Sequence, residues 1–538
     1  MSAAADLTTD SAPRALDATL DPSPYAVSPA LVAALSRIVV AGPRAERHTS
    51  VTPMSGKPLA ELPQSSVEDV ARAVDQARAA QRAWARRPIA HRAHVMLRLH
   101  DLVLAHRNTL LDLIQLESGK ARAHAFEEVA DVAITARYYA RTAAAHLAPR
   151  HTLGALLVLS RTETERLPHG VVGIVSPWNF PLSLPITDTI PALMAGNAVV
   201  LRPDRETSLS ALYGAMLLRE AGLPDGVLQV VVGAGSTIGQ AVVDLADYVS
   251  YTGSTETGRR VGQAAAARLV GCSLELGGKN ALYVRGDADL DVAVEGVRRA
   301  SFASGGQLCM HGERLLLHES IADDFLARFV PSVAAMRVGT ALEFGYEMGS
   351  LLSQAQLDRV DGHVRDAVAR GARVLTGGRA LPEIGPFCYA PTVLEGVTPD
   401  MACRDDETFG PVLAVYRVSS DEAAIALAND TAYGLHAGIW SRDVRAARAV
   451  ARLIRTGTVS INEGYAASWS SLDAPMGGMK ASGVGRRHGP EGITKYTEAQ
   501  SVTAQYLIRF GPQFGLSDEQ FAGLFTYGLK ALKAVGAT

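Results

Sequence analysis

Glu275 and Cys309 stand 34 residues apart, and each sits in a context that suits covalent catalysis. Cys309 closes the run Gly305-Gly306-Gln307-Leu308-Cys309. A cysteine beside glycines is expected at an exposed turn, where backbone N–H groups lower the pKa of a thiol. Glu275, within Ser273-Leu274-Glu275-Leu276-Gly277-Gly278-Lys279-Asn280, has leucine on both sides, and partial desolvation raises a carboxyl toward neutrality. The pair offers a thiolate nucleophile and a base for water. Taken one residue at a time, a packed core thiol and a structural glutamate are the competing readings, because free cysteine is among the most buried residue types.

Phosphate-binding glycines are the natural complement. Gly233-Ala-Gly235-Ser-Thr-Ile-Gly239 follows the apolar run VLQVVV and opens a helical pattern, one residue longer than the dinucleotide fingerprint. Alone it reads equally as turn punctuation. Tyr251-Thr-Gly253-Ser254 repeats the arrangement after the next strand-like run. Two such turns at consecutive strand ends favour a ligand, because open sheets bind ligands at their carboxyl ends.

The elements that would carry these turns are legible from about residue 168, where strand-length apolar runs alternate with helical stretches: GVVGIVSP, NAVVLRP, VLQVVVG and YVSYTG. The alternation resumes with NALYVRG, RLLLH, ARVLTGG and GPVLAVYRV. Such repetition predicts parallel sheets with helices on their faces, here two α/β sheets, one per large domain. Upstream, Ser28-Pro29 caps a short helix to Ile38, strands flank Ser55-Gly56-Lys57, and Val67 to Trp84 and Ile89 to Leu116 have helical apolar spacing. Residues 1–27 read as a loose arm. At the other end Phe521, Leu524, Phe525, Leu529, Leu532 and Val535 predict a tail helix docked on the body or on a neighbouring subunit, with membrane-surface contact as the alternative.

Composition narrows the partners. With 48% hydrophobic and 20% charged residues, disorder as the main state is excluded. A net charge of −3 supplies no basic field for nucleic acid, so a small molecule is the expected partner. Four cysteines without CxxC spacing argue against both a disulfide scaffold and a zinc site. The first residues lack a basic and apolar leader, and no apolar run approaches the roughly 20 residues of a membrane span. A cytoplasmic enzyme without a metal is expected.

The ordered set of motifs from about residue 45 to 505 resembles the aldehyde dehydrogenase superfamily. Besides LELGGKN and GQLC, it includes Ser176-Pro177-Trp178-Asn179, Ala195-Gly196-Asn197, Glu407-Thr408-Phe409-Gly410-Pro411, Asn429-Asp430-Thr431 and Pro475-Met-Gly-Gly478-Met-Lys480. The C-terminal segments Ser482-Gly-Val-Gly485-Arg-Arg-His and Lys495-Tyr496-Thr497-Glu498 resemble an actinobacterial group described as NADP-dependent succinate-semialdehyde dehydrogenases. The resemblance implies a Rossmann-type dinucleotide-binding domain (28–148 and 168–275), an α/β catalytic domain (276–497) and a small bridging β-sheet (149–167 and 498–508). A tail helix (509–538) follows, and the arm implies a homodimer or homotetramer.

It also implies a mechanism. Cys309 attacks the aldehyde carbon, Asn179 and the Cys309 backbone N–H hold the resulting alkoxide, hydride leaves for the nicotinamide, and Glu275 activates the water that hydrolyses the thioester. Ser176, Pro177, Trp178, Gly233, Gly253, Ser254, Glu407 and Phe409 are implied to line the cofactor, with Arg202 reaching the adenosine ribose. Arg205 occupies a position that is often glutamate in NAD-preferring members, and arginine can pair with a 2′-phosphate, so NADP is expected, with NAD as the alternative. Lys279, Glu463 and Glu491 read as salt-bridge residues. Succinate semialdehyde is the expected substrate. The helix after Asn179, PLSLPITDTIPAL, however, has no arginine for a distal carboxylate, and Asp188 has the wrong sign. Met310, His311, Tyr465 and Trp469 are the pocket candidates, His311 as a hydrogen-bonded wall residue, and the two rings suit aromatic or medium-chain aldehydes. An acylating enzyme is disfavoured by Glu275, and a catalytically silent homologue by the intact Asn179, Glu275 and Cys309.

Overall fold

Strands buried on both faces need no alternation of apolar and polar residues, and the runs VVGIV, AVVLR, NALYV and HAGIW form such strands, every residue of them buried. The computed structural model describes residues 25–153, 160–506 and 510–536. Residues 1–24 of the expected arm, 154–159 of the expected bridging sheet, and 507–509 and 537–538 of the tail region lie outside the described residues.

Two large sheets result. The first has six strands in the order Gly483–Val484, Gly271–Glu275, Tyr248–Thr252, Val171–Val175, Ala198–Arg202, Leu228–Val230. All neighbours are parallel except the first pair, in which Gly483 lies opposite Glu275. The second has seven, ordered Arg373–Thr376, Thr392–Glu395, Val412–Val418, Gly312–His318, Asn280–Val284, His436–Trp440, Thr458–Ile461, antiparallel only at its first edge. A third, antiparallel sheet joins Thr497–Gln505, Ser160–Pro168 and Arg150–Leu153 and is largely exposed.

Helices cover both faces of the large sheets, and the apolar spacing marks Val67–Ala85 and the stretch from Ile89 among them. Ile89 to Leu116 is two helices, Ile89–Ala105 and Arg107–Ser118, broken at His106. Helix Arg122–His146 has no counterpart in the apolar spacing, because its buried stripe is largely alanine (Ala125, Ala133, Ala136, Ala143). These helices supply two buried carboxylates that cap others. Glu128 accepts from the backbone N–H groups of Leu182 and Ser183 (2.9 and 3.0 Å) at the start of helix Ser183–Met194. Glu117 accepts from Leu209 and Ser210 at the start of helix Ser208–Glu220. Neither helix has a local side-chain cap, so each carboxylate meets orphan N–H groups and the positive end of a helix dipole.

The tail forms helix Asp518–Ala534, opened by a capping box between Ser517 and Gln520. None of its residues is buried, so it is not packed into the body of its own chain; Phe510, Phe521 and Phe525 instead cluster with one another. Among the described residues no helix is long and apolar enough to cross a membrane, and no group of three or more His, Cys, Asp or Glu could hold a metal ion.

Candidate active site

Glu275 is the last residue of its strand, and Ser176 to Asn179 follow Val171–Val175 in the same sheet. Asn280 opens its strand in the second sheet, and Cys309 comes three residues before Gly312–His318. The candidate site therefore lies where the carboxyl edge of the first sheet meets the amino edge of the second.

Hydrogen bonds across this junction fix the Cys309 segment. Asn280 Nδ2 donates to the carbonyls of Cys309 (2.7 Å) and His311 (2.8 Å), while its Oδ1 accepts from His436 N. Upstream, Ser304, Gly305 and Gly306 are consecutive left-handed residues, with φ of 52°, 65° and 70°. A Cβ on Gly306 would lie 2.1 Å from the Gly410 carbonyl oxygen, so only glycine passes there. Asn179 Nδ2 donates to Gln307 O at 2.9 Å, which fastens Asn179 to the same turn and leaves its second amide hydrogen for another acceptor.

Lys120 and Glu128, absent from the sequence-derived site, hold Asn179 from below. Lys120 Nζ donates to Glu128 Oε1 and to the Asn179 carbonyl, both at 2.7 Å, and lies 3.7 Å from the Phe180 ring centroid. Both side chains are buried. An ion pair taken out of water holds its geometry only when its remaining bonding groups are satisfied, as they are here by the backbone of Asn179, Leu182 and Ser183. In the sequence the two look like any solvated pair on a helical stretch, and no spacing marks them.

The two central groups are both shifted upward. Burial pushes the Glu275 carboxyl up to about 7, as its leucine neighbours suggest, with Arg487 and Lys495 opposing the rise. Its Oε1 has no hydrogen-bond partner. Cys309 departs from expectation: burial pushes its thiol up to about 12, and the carboxylates of Glu275 and Glu407 add to the rise. The glycines before it permit a tight, buried turn on which Cys309 itself stays only partly exposed, and desolvation outweighs the backbone N–H effect.

The residues expected around the cofactor form a polar cradle. Arg202 donates to the Gly233 carbonyl from Nε and Nη2 (3.1 and 2.7 Å) and reaches Asp204 Oδ2 at 3.2 Å. Gly253 N donates to Glu275 O, and Ser254 caps helix Thr255–Ala267. Trp178 and Phe409 meet edge to face at 5.5 Å, beside half-buried Pro177. Glu407 Oε1 accepts from Gly278 N at 2.8 Å, and a Cβ on Gly277 would lie 2.4 Å from Glu407 Oε2. Ser176 Oγ is buried without a partner, an orphan of the kind a bound dinucleotide would satisfy. Arg205 is 43% exposed, and its Nε lies 3.0 Å from Glu206, a carboxylate that also meets His48 Nε2 at 3.1 Å. Lys279 pairs with buried Glu313, as a salt-bridge reading requires, and Glu313 accepts from Thr408 N and Phe409 N. Glu463 instead accepts from Ala467 N, and Glu491 lies in the first turn of helix Gly489–Thr494.

The four pocket candidates divide in function. Met310 and Tyr465 belong to one buried cluster with Leu308 and Met476, against which Cys309, Phe180 and Trp469 pack. Tyr465 OH donates to Glu127 (2.9 Å). His311 is buried, bonded to Leu308 O, with Nε2 3.3 Å from Glu313. A cavity of about 520 Å³ is lined by Trp469, Ala303, Phe126, Met336, Glu127 and Arg299, among others.

Known proteins give this architecture its class. The model of the aldehyde dehydrogenase family matches residues 40–502. A Mycobacterium ulcerans protein provisionally named succinate-semialdehyde dehydrogenase (NADP(+)) 2 is 48% identical over 462 residues, covering 86% of this chain and 89% of its own. A Pseudomonas fluorescens phenylacetaldehyde dehydrogenase is 39% identical, covering 84% and 92%. The structure of a Bacillus cereus aldehyde dehydrogenase in complex with NAD+ superimposes with a TM-score of 0.83 at 33% identity, over 89% of this chain and 99% of that one. The chain belongs to the aldehyde dehydrogenase family.

Proposed function

We propose that this protein oxidises succinate semialdehyde to succinate with NADP, through a thioester on Cys309. The observation that carries the chemistry is the convergence of Cys309, Asn179 and Glu275 at the junction of the two sheets. The thiol proton of Cys309 passes to solvent as sulfur attacks the aldehyde carbon, and Glu275, poised near neutrality, is left free to act as base in the second half of the reaction. The free Asn179 amide hydrogen and the Cys309 N–H stabilise the oxyanion, an arrangement in which one donor is worth roughly 10²- to 10³-fold in rate. NADP, when bound, supplies the hydride acceptor. Deprotonated Glu275 then draws a proton from water as its oxygen adds to the thioester carbon, the C–S bond breaks, and the acid departs.

The substrate rests on relatives such as the mycobacterial protein at 48% identity. A second reading, aromatic or medium-chain aldehydes, is favoured by the wall of Phe180, Tyr465 and Trp469 and by the phenylacetaldehyde-oxidising relative. Initial rates with succinate semialdehyde, benzaldehyde and a medium-chain aldehyde, each with NADP and NAD, test both. A higher kcat/KM for succinate semialdehyde supports the first reading, and the reverse order selects the second. Arg205 supports NADP, since its guanidinium offers a partner for a 2′-phosphate while Glu206 draws off part of its charge. Arg205→Glu is expected to shift the kcat/KM ratio toward NAD by roughly tenfold or more, from the loss of a charge-assisted contact; an unchanged ratio would refute the assignment. The same reading has the enzyme working in the cytoplasm as a homodimer or homotetramer, with the exposed three-stranded sheet as the surface for another subunit.

A further inference from the structure

Beneath Glu275 lies a group of buried charges that no step above uses. The segment after Pro475 forms a hairpin, closed by paired backbone bonds between Met476 and Arg487 (2.8 and 2.6 Å), and its tip lies beside the Glu275 strand. The hairpin root touches the candidate base: a Cβ on Gly477 would lie 2.9 Å from Glu275 Oε1 and 3.1 Å from the Arg486 side chain. From that root Arg487, only 8% exposed, reaches helix Ser183–Met194, where Nη2 meets Thr187 Oγ1 at 3.0 Å and Asp188 Oδ1 at 3.2 Å. Lys495 Nζ approaches the same Asp188 oxygen at 3.9 Å. The other Asp188 oxygen accepts from Ser250 Oγ, to which Tyr496 OH donates.

Two buried cations thus share one close carboxylate, and a buried charge without a counter-charge is costly. The other groups that face this cluster contribute unequally. Asp131, on helix Arg122–His146, bonds to Ser183 and is pushed up to about 6 by burial, while His488 is driven down to about 3 by burial and stays neutral. Cys309 faces Glu275 from the opposite side as a thiol, and Arg486 adds a weaker positive influence. Ionised Glu275 is one of three carboxylates, with Asp188 and Asp131, whose charge acts on Arg487. Burial drives Glu275 upward, with the Asp188 carboxylate adding to the rise, and Arg487 is the strongest influence against it, followed by Lys495.

We propose that Arg487, anchored in the interior by Asp188, is a positioning residue that keeps Glu275 able to ionise and so sets the pH at which the acyl-enzyme is hydrolysed. The inference rests on the proposed role of Glu275 as the base. Its test is the pH dependence of steady-state turnover with NADP and the better aldehyde, alongside the pre-steady-state burst of reduced cofactor. Arg487→Met is expected to move the acid limb upward by about one pH unit, making turnover roughly tenfold slower near pH 7, with the burst retained. Arg487→Lys is expected to restore most of the shift. Asp188→Asn, which removes the competing anion, is expected to move the limb downward.

Opposite shifts from two buried-charge variants are not what loss of packing produces. An unmoved limb in both, or a uniform loss of burst and turnover without a shift, overturns the proposal. If Arg487→Met does not fold, Lys495→Met carries the same test, with a smaller upward shift expected and no shift counting against it. Infrared titration of the Glu275 carboxyl, taken as the difference from Glu275→Gln, reads the same displacement without turnover. A displaced carboxyl titration in a protein that shows no burst with any aldehyde would refute the proposed oxidation and leave the role of Arg487 standing, whereas an undisplaced one overturns it.

Discussion

Replacing Cys309 with alanine is expected to abolish aldehyde oxidation, a fall of roughly 10⁴- to 10⁶-fold in kcat, while NADP still binds. The size follows from the chemistry: without sulfur no thiohemiacetal forms, and what remains of the site can only bind and polarise the aldehyde. The fold is expected to survive, because Cys309 packs at the margin of its apolar cluster, and the turn that carries it is held by Asn280 and Asn179, which donate to the backbone carbonyls of Cys309 and Gln307 that the substitution leaves in place. Calorimetric titration with NADP and a thermal melt check those two conditions. Turnover above background in a folded, cofactor-binding Cys309→Ala protein would remove the thiol from the reaction. Cys403 and Cys388 are buried and Cys272 lies on the Glu275 strand away from the turn, so no other thiol is placed to substitute.

The Glu275→Gln substitution separates the two halves of the reaction. An initial burst of up to one equivalent of reduced cofactor per site is expected, followed by steady turnover lowered by roughly 10²- to 10⁴-fold, the usual worth of a general base. The amide cannot take a proton from water, so the thioester accumulates, and a mass increase of one acyl group on the intact protein would show it. The pH dependence supplies a second check. Burial holds Glu275 near 7, so in the parent protein the base is lost as pH falls through that value, and turnover should drop about tenfold per pH unit below it. In Glu275→Gln that acid limb should vanish. Unchanged steady turnover, or an unchanged limb, would assign the base to another group.

Why some of this architecture is legible in sequence and some is not follows from the range of the forces. The strands Val171–Val175 and Asn280–Val284 are apolar runs because both of their faces are covered. Helix Arg122–His146 escapes notice because alanine fills its buried stripe, and alanine favours a helix without marking a face. Lys120 and Glu128 escape for another reason. Their partners, the backbone of Asn179, Leu182 and Ser183, are more than 50 residues away, and a lysine and a glutamate that meet there leave no periodic trace.

The residues themselves determined the alternation of strand and helix and the two-sheet architecture, because these follow from local sterics and from burial patterns repeated every two or three to four residues, while the candidate thiol, amide and carboxylate followed from the resemblance of the ordered motifs to the aldehyde dehydrogenase family. Only the tertiary structure decided the charge states. Gly305 and Gly306 suggest an exposed, acidified thiol, yet on the turn they permit Cys309 is only partly exposed, and desolvation and two carboxylates raise it. Arg487 reads as one basic residue in a basic stretch, yet it crosses 300 residues of sequence to meet Thr187 and, with it, Asp188 beneath Glu275. Desolvation and Coulomb interaction depend on distance and enclosure in space, and sequence spacing carries neither.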